Sequence, residues 1–271
     1  MASYPVVLPV SSRLTPTHHY EVIARYPHDL EAFTQGLVFH QGELYESTGI
    51  RGRSSVRKLD LKSGRVLRSQ RLDNDLFGEG LTVFEQQLVQ LTWQSGQAFI
   101  YAPDDLRQTG SFTFNGEGWG STSIDGRLVV SDGSAWLRFI APDEDYRQVA
   151  SVQVTDRGRE VRGLNELEAV NGLIYANVYP GDCIAQIDPQ SGRVTGWIDL
   201  SGLMPLSERT HRSAVANGIA YNSGSGELFV TGKYWPYIYQ LEIHKAETLP
   251  DKRTTGPETG QRTTTKMTDG G

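Results

Sequence analysis

A short pattern occurs five times along this chain, and no other feature restricts its fold as strongly. The copies open at Gln35-Gly36-Leu37, Glu79-Gly80-Leu81, Trp119-Gly120-Ser121, Asn165-Glu166-Leu167 and Asn217-Gly218-Ile219. Each is followed by a hexamer: Leu44 to Gly49, Leu88 to Trp93, Leu128 to Gly133, Ile174 to Tyr179 and Leu228 to Lys233. The step from opening residue to hexamer is 9 in four copies and 11 in the last (35 to 44, 79 to 88, 119 to 128, 165 to 174, 217 to 228). The pattern reads as a turn, a strand, a tight hairpin such as Glu85-Gln86-Gln87, and a second strand.

Successive opening residues lie 44, 40, 46 and 52 positions apart, the period of a four-stranded propeller blade. Two more strands follow in each copy, joined by turn signals. Val56 to Leu61, Lys62-Ser63-Gly64 and Val66 to Leu72 form one example; Ile184 to Asp188, Pro189-Gln190-Ser191-Gly192 and Val194 to Leu200 form another. The fifth copy has only three strands after Asn217, and the alternating stretch His19 to Pro27 supplies the natural fourth. The expectation is an all-β, five-bladed β-propeller with four antiparallel strands per blade. The N-terminal strand would pair in the last blade and close the ring, which removes exposed sheet edges. Residues 18–244 form that domain in this reading. Residues 1–17, rich in Pro, Ser and Thr, are expected to be flexible, and residues 245–271, where apolar residues vanish, to be a disordered tail. Leu203 to Arg212, in the widest gap, is the best candidate for a short helix.

Composition narrows the partners. A net charge of -6 argues against nucleic acid or an anionic membrane. The lone Cys183 has no intrachain disulfide partner, so no oxidising compartment is required. No apolar stretch approaches the roughly 20 residues that span a bilayer. Met1-Ala2-Ser3-Tyr4-Pro5 lacks a basic segment leading into an apolar one, so no signal peptide is expected. The chain reads as soluble, either cytosolic or an exported form without its leader, and as a monomer.

In a propeller the first strand of each blade lines the central axis, so equivalent positions in five blades form a ring at one mouth. Here that ring is Gln35, Glu79, Trp119, Asn165 and Asn217. The ends of the second strands add Trp93, Tyr179 and Lys233, and Phe33 and Phe77 precede two of the opening turns. A structural ring would favour small or uniformly apolar residues. This one gathers a carboxylate, an ammonium, carboxamides and aromatics, the makings of a ligand funnel. Blander readings stand beside it. Trp93 and Trp119 also suit packing between blades, Asn165 and Asn217 suit turns with unusual dihedrals, and Lys233 suits a solvated strand end. Glu79, flanked by two glycines, is the hardest to explain by packing.

Other motifs are missing. Gly116-Glu117-Gly118-Trp119-Gly120 is glycine-rich, but no helix follows to hold a phosphate. The six histidines show no ligand spacing, no Gly-x-Ser-x-Gly elbow is present, and the Trp-Asp blade signature is absent.

At these residues the chain resembles the plant and bacterial type of glutaminyl-peptide cyclotransferase (glutaminyl cyclase). The likeness runs from Phe33-Thr34-Gln35-Gly36-Leu37 through Glu46-Ser47-Thr48-Gly49, Gly52-Arg53-Ser54-Ser55-Val56-Arg57, Phe77-Gly78-Glu79-Gly80-Leu81-Thr82 and Gly118-Trp119-Gly120. It continues through Ser131-Asp132-Gly133, Leu164-Asn165-Glu166-Leu167-Glu168, Asp182-Cys183-Ile184-Ala185, Gly196-Trp197-Ile198 and Val230-Thr231-Gly232-Lys233-Tyr234-Trp235-Pro236, so residues 20 to 243 are covered.

The resemblance implies a five-bladed propeller that converts N-terminal glutamine of peptides or proteins to pyroglutamate, with release of ammonia. It also implies that no metal cofactor is required, with a structural ion in the central channel left open. Site residues carried over by the resemblance are Glu79, Lys233 and Asn165 as catalytic groups. Phe33, Gln35, Phe77, Trp93, Trp119 and Tyr179 are carried over as substrate-binding groups. One position departs: Tyr179 stands where the family has tryptophan. Two rival readings remain at this stage. A non-catalytic peptide- or glycan-binding propeller has no need of Glu79 and Lys233 in one pocket, and a calcium-dependent lactonase-type propeller would want more carboxylates than this ring supplies.

Overall fold

The computed structural model of the protein describes residues 14–246. The chain opens with β1 (Thr17–Pro27) and then builds three four-stranded antiparallel sheets in succession. The first contains β2 (Thr34–His40), β3 (Glu43–Thr48), β4 (Ser55–Leu59) and β5 (Val66–Arg71). The second contains β6 (Gly78–Phe84), β7 (Gln87–Thr92), β8 (Gln97–Tyr101) and β9 (Gln108–Thr113). The third contains β10 (Ser121–Ile124), β11 (Arg127–Val130), β12 (Trp136–Ala141) and β13 (Arg147–Gln153). A two-stranded ribbon of β14 (Thr155–Asp156) and β15 (Arg159–Glu160) follows. Next come β16 (Leu164–Val170), β17 (Leu173–Val178), β18 (Cys183–Ile187) and β19 (Val194–Asp199). The last three strands are β20 (Ala216–Asn222), β21 (Glu227–Gly232) and β22 (Tyr237–His244).

The N-terminal strand does pair with the last one: β1 runs antiparallel to β22 from His19 opposite His244 to Pro27 opposite Tyr237. Its second partner was not foreseen. Thr17 and His18 pair in parallel with Trp197 and Ile198 of β19, which joins two four-stranded sets into one eight-stranded sheet, β16-β17-β18-β19-β1-β22-β21-β20. The reason is length, because β1 has 11 residues against 8 in β22, and the surplus reaches the neighbour. The Pro16 carbonyl accepts from the Trp197 N–H (2.9 Å) and the Thr15 hydroxyl donates to Asp156, so residues 15–17 are held rather than loose. Residues 1–13 and 247–271 of the two expected terminal segments lie outside the described residues.

Turn chemistry explains the steps of 9 and 11. At β2–β3, β6–β7, β10–β11 and β16–β17 two residues turn the chain, both with positive φ: Gln41-Gly42, Glu85-Gln86, Asp125-Gly126 and Asn171-Gly172. This is the hairpin turn whose twist matches that of the strands. Between β20 and β21 the loop is two residues longer, which gives 11. The gap around Leu203 to Arg212 holds one 3-10 turn, Leu206–Glu208, and no α-helix occurs among the described residues. Pro205 opens that turn, and the Arg209 side chain takes the Met204 carbonyl and the Asp182 carboxylate in place of a helical ladder.

Five hydrophobic clusters lie between adjacent four-stranded sets. Val38, Tyr45 and Val56 meet Leu81, Leu88 and Tyr101; Val89 and Leu91 meet Leu128 and Val130; Val129 and Leu137 meet Leu164 and Ile174. Ile184 and Ile198 meet Ile219 and Val230, and Phe229 and Ile238 return to Leu37 and Leu44. Each fully buried aliphatic side chain contributes about 1.5–3 kcal/mol. The inner strands β2, β6, β10, β16 and β20 contact one another in a closed cycle.

Glycine makes that close approach possible. A Cβ on Gly36, Gly80 or Gly120 would overlap the backbone of the next inner strand, at Leu81, Ser121 and Asn165 respectively. The equivalent position in β16 is Glu166, whose side chain crosses the axis instead. Its Oε1 accepts from the Leu37 N–H (3.3 Å) and its Oε2 from the Ile219 N–H (2.9 Å). Asp60 and Asp188 cap the turns before β5 and β19 by accepting the Ser63 and Ser191 N–H groups.

Candidate active site

The ends of these strands surround a cavity of ≈ 200 Å³, lined by Phe33, Gln35, Phe77, Glu79, Trp93, Trp119, Asn165, Tyr179, Ser213 and Lys233. Gln35, Glu79 and Asn165 stand at the starts of β2, β6 and β16. Trp93, Tyr179 and Lys233 directly follow β7, β17 and β21, and Phe33, Phe77 and Trp119 directly precede or closely precede β2, β6 and β10. All nine residues singled out as catalytic or substrate-binding therefore face one space. Asn217, the fifth ring member, does not. Its amide donates to the Thr34 carbonyl (2.9 Å) and to Gln35 Oε1 (3.1 Å), which makes it a support for Gln35.

Two glycines clear the room that the rings occupy. The position after the second strand holds Trp93, Tyr179 and Lys233 in three sets and glycine in the other two. A Cβ on Gly49 would collide with the Phe77 ring, and one on Gly133 with the Trp119 ring. The aromatic walls then pack edge to face. Phe33 and Phe77 have centroids 5.9 Å apart at 90°, Phe77 and Trp93 are 5.6 Å apart, and Trp119 and Tyr179 are 6.1 Å apart at 83°. Such pairs contribute about 0.5–1.5 kcal/mol beyond area burial and hold the ring planes.

Within this apolar shell lie one acid, one base and two carboxamides. Glu79 is 4% exposed and Lys233 5%. Burial pushes the Glu79 carboxyl well above the ordinary carboxylate range; Lys233 opposes the shift, Glu117 adds to it and Gln35 opposes it. Burial lowers the Lys233 ammonium to about 8, with Glu79 opposing. The Lys233 Nζ lies 4.7 Å from the Phe33 ring centroid and 5.4 Å from that of Tyr179. Both rings stabilise the charge electrostatically without supplying a counter-ion. Asn165 Oδ1 is buried with no hydrogen-bond donor, so an acceptor stands ready in the cavity wall.

Two lining or supporting residues escaped the sequence reading. Ser213 comes from the long β19–β20 connection, where no periodicity marks it. Glu117 accepts the indole N–H groups of both Trp93 (2.8 Å) and Trp119 (2.9 Å). A signal for it did exist: it stands two residues before Trp119, the spacing of Phe33 from Gln35 and of Phe77 from Glu79. As to metals, the axial Glu166 already gives both oxygens to backbone N–H groups, and the described residues contain no cluster of three His, Cys, Asp or Glu side chains.

The glutamine cyclotransferase family model matches residues 4–243. The chain is similar to the glutaminyl-peptide cyclotransferase of Arabidopsis thaliana, 43% identical over 236 residues, which is 83% of this chain and 72% of that protein. It is similar also to the crystal structure of Myxococcus xanthus glutaminyl cyclase, with a TM-score of 0.81 and 40% identity over 86% of this chain and 100% of that one. A model match spanning nearly the whole chain, and full coverage of a solved cyclase, place this protein in the glutamine cyclotransferase family.

Proposed function

We propose that the aromatic cavity is where this chain, a glutaminyl-peptide cyclotransferase, closes N-terminal glutamine of peptides and proteins to pyroglutamate. The observation that carries the reading is the pair Glu79 and Lys233, buried in one narrow apolar cavity and shifted by burial in opposite directions. The scaffold proposed for it is a five-bladed propeller, supported by the five clusters between four-stranded sets and by the cycle of inner strands. The proposed catalytic domain is residues 18–244, which contains every residue that lines the cavity, and the proposed assembly is a monomer.

In the reaction the substrate α-amine attacks its own γ-carboxamide carbon, a C–N bond forms, and the C–N bond to the leaving amide nitrogen breaks. One proton must travel from the nucleophile to departing ammonia. Glu79 takes that proton and returns it, as a single positioned carboxylate can. The free α-amine has a pKa of about 7.7–8.0, so a modest base is enough. Lys233 and the Asn165 carboxamide hold the carbonyl oxygen as negative charge develops there. The orphan Asn165 Oδ1 is a natural acceptor for a substrate N–H. Gln35, held by Asn217, receives the backbone of the bound residue, and the rest of the peptide leaves through the mouth. The aromatic walls fold the glutamine side chain back over its amine and exclude water, whose attack would give glutamate. Tyr179 keeps the flat wall of a tryptophan but is 43% exposed and brings a hydroxyl to the rim. No metal enters any step.

Mixing the protein with Gln-Ala and following ammonia tests the reading. Stoichiometric ammonia and a pyroglutamyl product are expected. Binding of the dipeptide without ammonia release would instead leave a non-catalytic peptide binder.

A further inference from the structure

We propose that Glu117 is a positioning residue for this reaction: one carboxylate pins both indole walls of the cavity, and its charge bears on Glu79. The inference rests on the cyclisation proposed above. It starts from a departure in the repeat. In four of the five sets, the residue two before the opening position accepts the N–H that follows the second strand. The bonds are Gly49 to Phe33 (2.8 Å), Trp93 to Phe77 (3.0 Å), Tyr179 to Gly163 (2.7 Å) and Lys233 to Val215 (3.0 Å). In the third set that bond is missing. The Gly133 N–H goes to the Leu164 carbonyl (3.1 Å), and the Glu117 carbonyl accepts the Arg138 guanidinium instead.

The Glu117 side chain, in the place of Phe33 and Phe77, reaches both indoles. Its Oε2 accepts from Trp93 and Trp119, at 2.8 and 2.9 Å, and its Oε1 accepts from Gln94 Nε2 at 3.2 Å. Gln94 in turn accepts from Arg51 (3.4 Å), whose guanidinium carbon lies 5.7 Å from the Trp93 ring centroid. Trp93 is thus held at its N–H, at one edge by Phe77 and on its face by Arg51. Trp93 and Trp119 come from different sets, and one oxygen ties them together across the gap. An aromatic residue at this position, as in the first two sets, would extend the wall but offer no acceptor to either indole.

The charge acts as well. Charged or polar groups facing Glu79 are Lys233, Glu117 and Gln35. Around Glu117 the nearby cations are Arg51 and Arg138, the latter 3.6 Å from Asp132. The indole and Gln94 donors hold Glu117 below the ordinary carboxylate range, Trp119 most, so it is ionised wherever the reaction runs. Its negative charge then makes ionisation of Glu79 harder, which favours a carboxyl that gives its proton back to the leaving group.

Two variants and two readouts test this, with Gln-Ala as substrate. Glu117→Ala removes anchor and charge and is expected to raise KM ~10-fold or more, as lost hydrogen bonds to a charged acceptor do. Glu117→Gln keeps an oxygen for the indoles but removes the charge. Followed by infrared difference titration against Glu79→Gln, the Glu79 carboxyl in that variant is expected to ionise at lower pH than in the wild type. A purely structural residue would leave that titration where it was. An unmoved Glu79 titration, or an unchanged KM in Glu117→Ala, overturns the proposal; if the alanine variant does not fold, the glutamine variant decides alone. Wild-type ammonia release is scored in the same assay, so a failure of the proposed function is told apart from a failure of this role.

Discussion

Glu79 and Lys233 lie 154 positions apart in the chain, yet both are buried in the wall of one cavity without forming a direct ion pair with each other. Burial raises the first and lowers the second to about 8. A carboxyl and an ammonium therefore line the same space, the pair on which the proposed proton transfer and oxyanion binding depend. Each is held by backbone close to it: Gly80 packs on the next inner strand, and the Lys233 N–H bonds the Val215 carbonyl at 3.0 Å.

Replacing the proton carrier should abolish turnover without loosening the fold. Glu79→Gln is expected to lower kcat at least ~10². Because burial raises the folded-state pKa, Glu79 adds stability below its ordinary value of 4.5 and loses it as pH rises through the folded value. The glutamine variant should consequently melt no lower than the wild type near neutrality, which calorimetry reads directly. Near-normal kcat in this variant would remove Glu79 from the mechanism.

Lys233→Met keeps the volume of the side chain and deletes the cation. Loss of one oxyanion-type donor costs roughly 10²–10³ in kcat. The wild-type ammonium should lose its proton as pH rises through about 8, so kcat should fall on that alkaline side. In Lys233→Met the same limb should be gone. A limb that persists in the variant would have to belong to another group.

Incubation with EDTA or a heterocyclic chelator is expected to leave the rate unchanged, since one carboxylate, one ammonium and a carboxamide account for every step proposed. Chelator-sensitive activity that zinc restores would contradict this.

Two buried acids beneath the cavity should make the fold sensitive to alkali. Burial pushes Glu168 up to about 8 and Glu166 well above the ordinary range, the latter with Glu168 adding to the shift. Raised values mean that their stabilisation is full below the ordinary carboxylate value and is lost as pH rises through the folded values, about 8 for Glu168. Tm should decline across that window, and Glu168→Gln should flatten the decline. Glu166→Ala, which strips acceptors from the Leu37 and Ile219 N–H groups, should cost about 1–3 kcal/mol for each orphaned donor. A flat Tm profile in the wild type would show that these acids titrate normally.

The sequence by itself determined the all-β class, the repeat and its strand-by-strand layout, and the pairing of the N-terminal strand with the last one. Those properties are written in local alternation and in two-residue turns such as Asn171-Gly172, where φ is positive at both positions. The repeat also marked all nine side chains that line the cavity with Ser213, because equivalent positions in successive copies end up at equivalent places around an axis. What it left undecided depends on atoms far apart in the chain. That Asn217 turns to hold Gln35, that Glu166 spans the axis and that β1 reaches β19 are outcomes of how strands of particular lengths meet in space. The shifts of Glu79 and Lys233 belong to the same class: each arises from the surroundings that other strands bring to it, so no reading of neighbouring residues supplies them. Glu117 falls between the two. Its position two before Trp119 is in the repeat, but its grip on two indoles exists only once separate strands stand side by side.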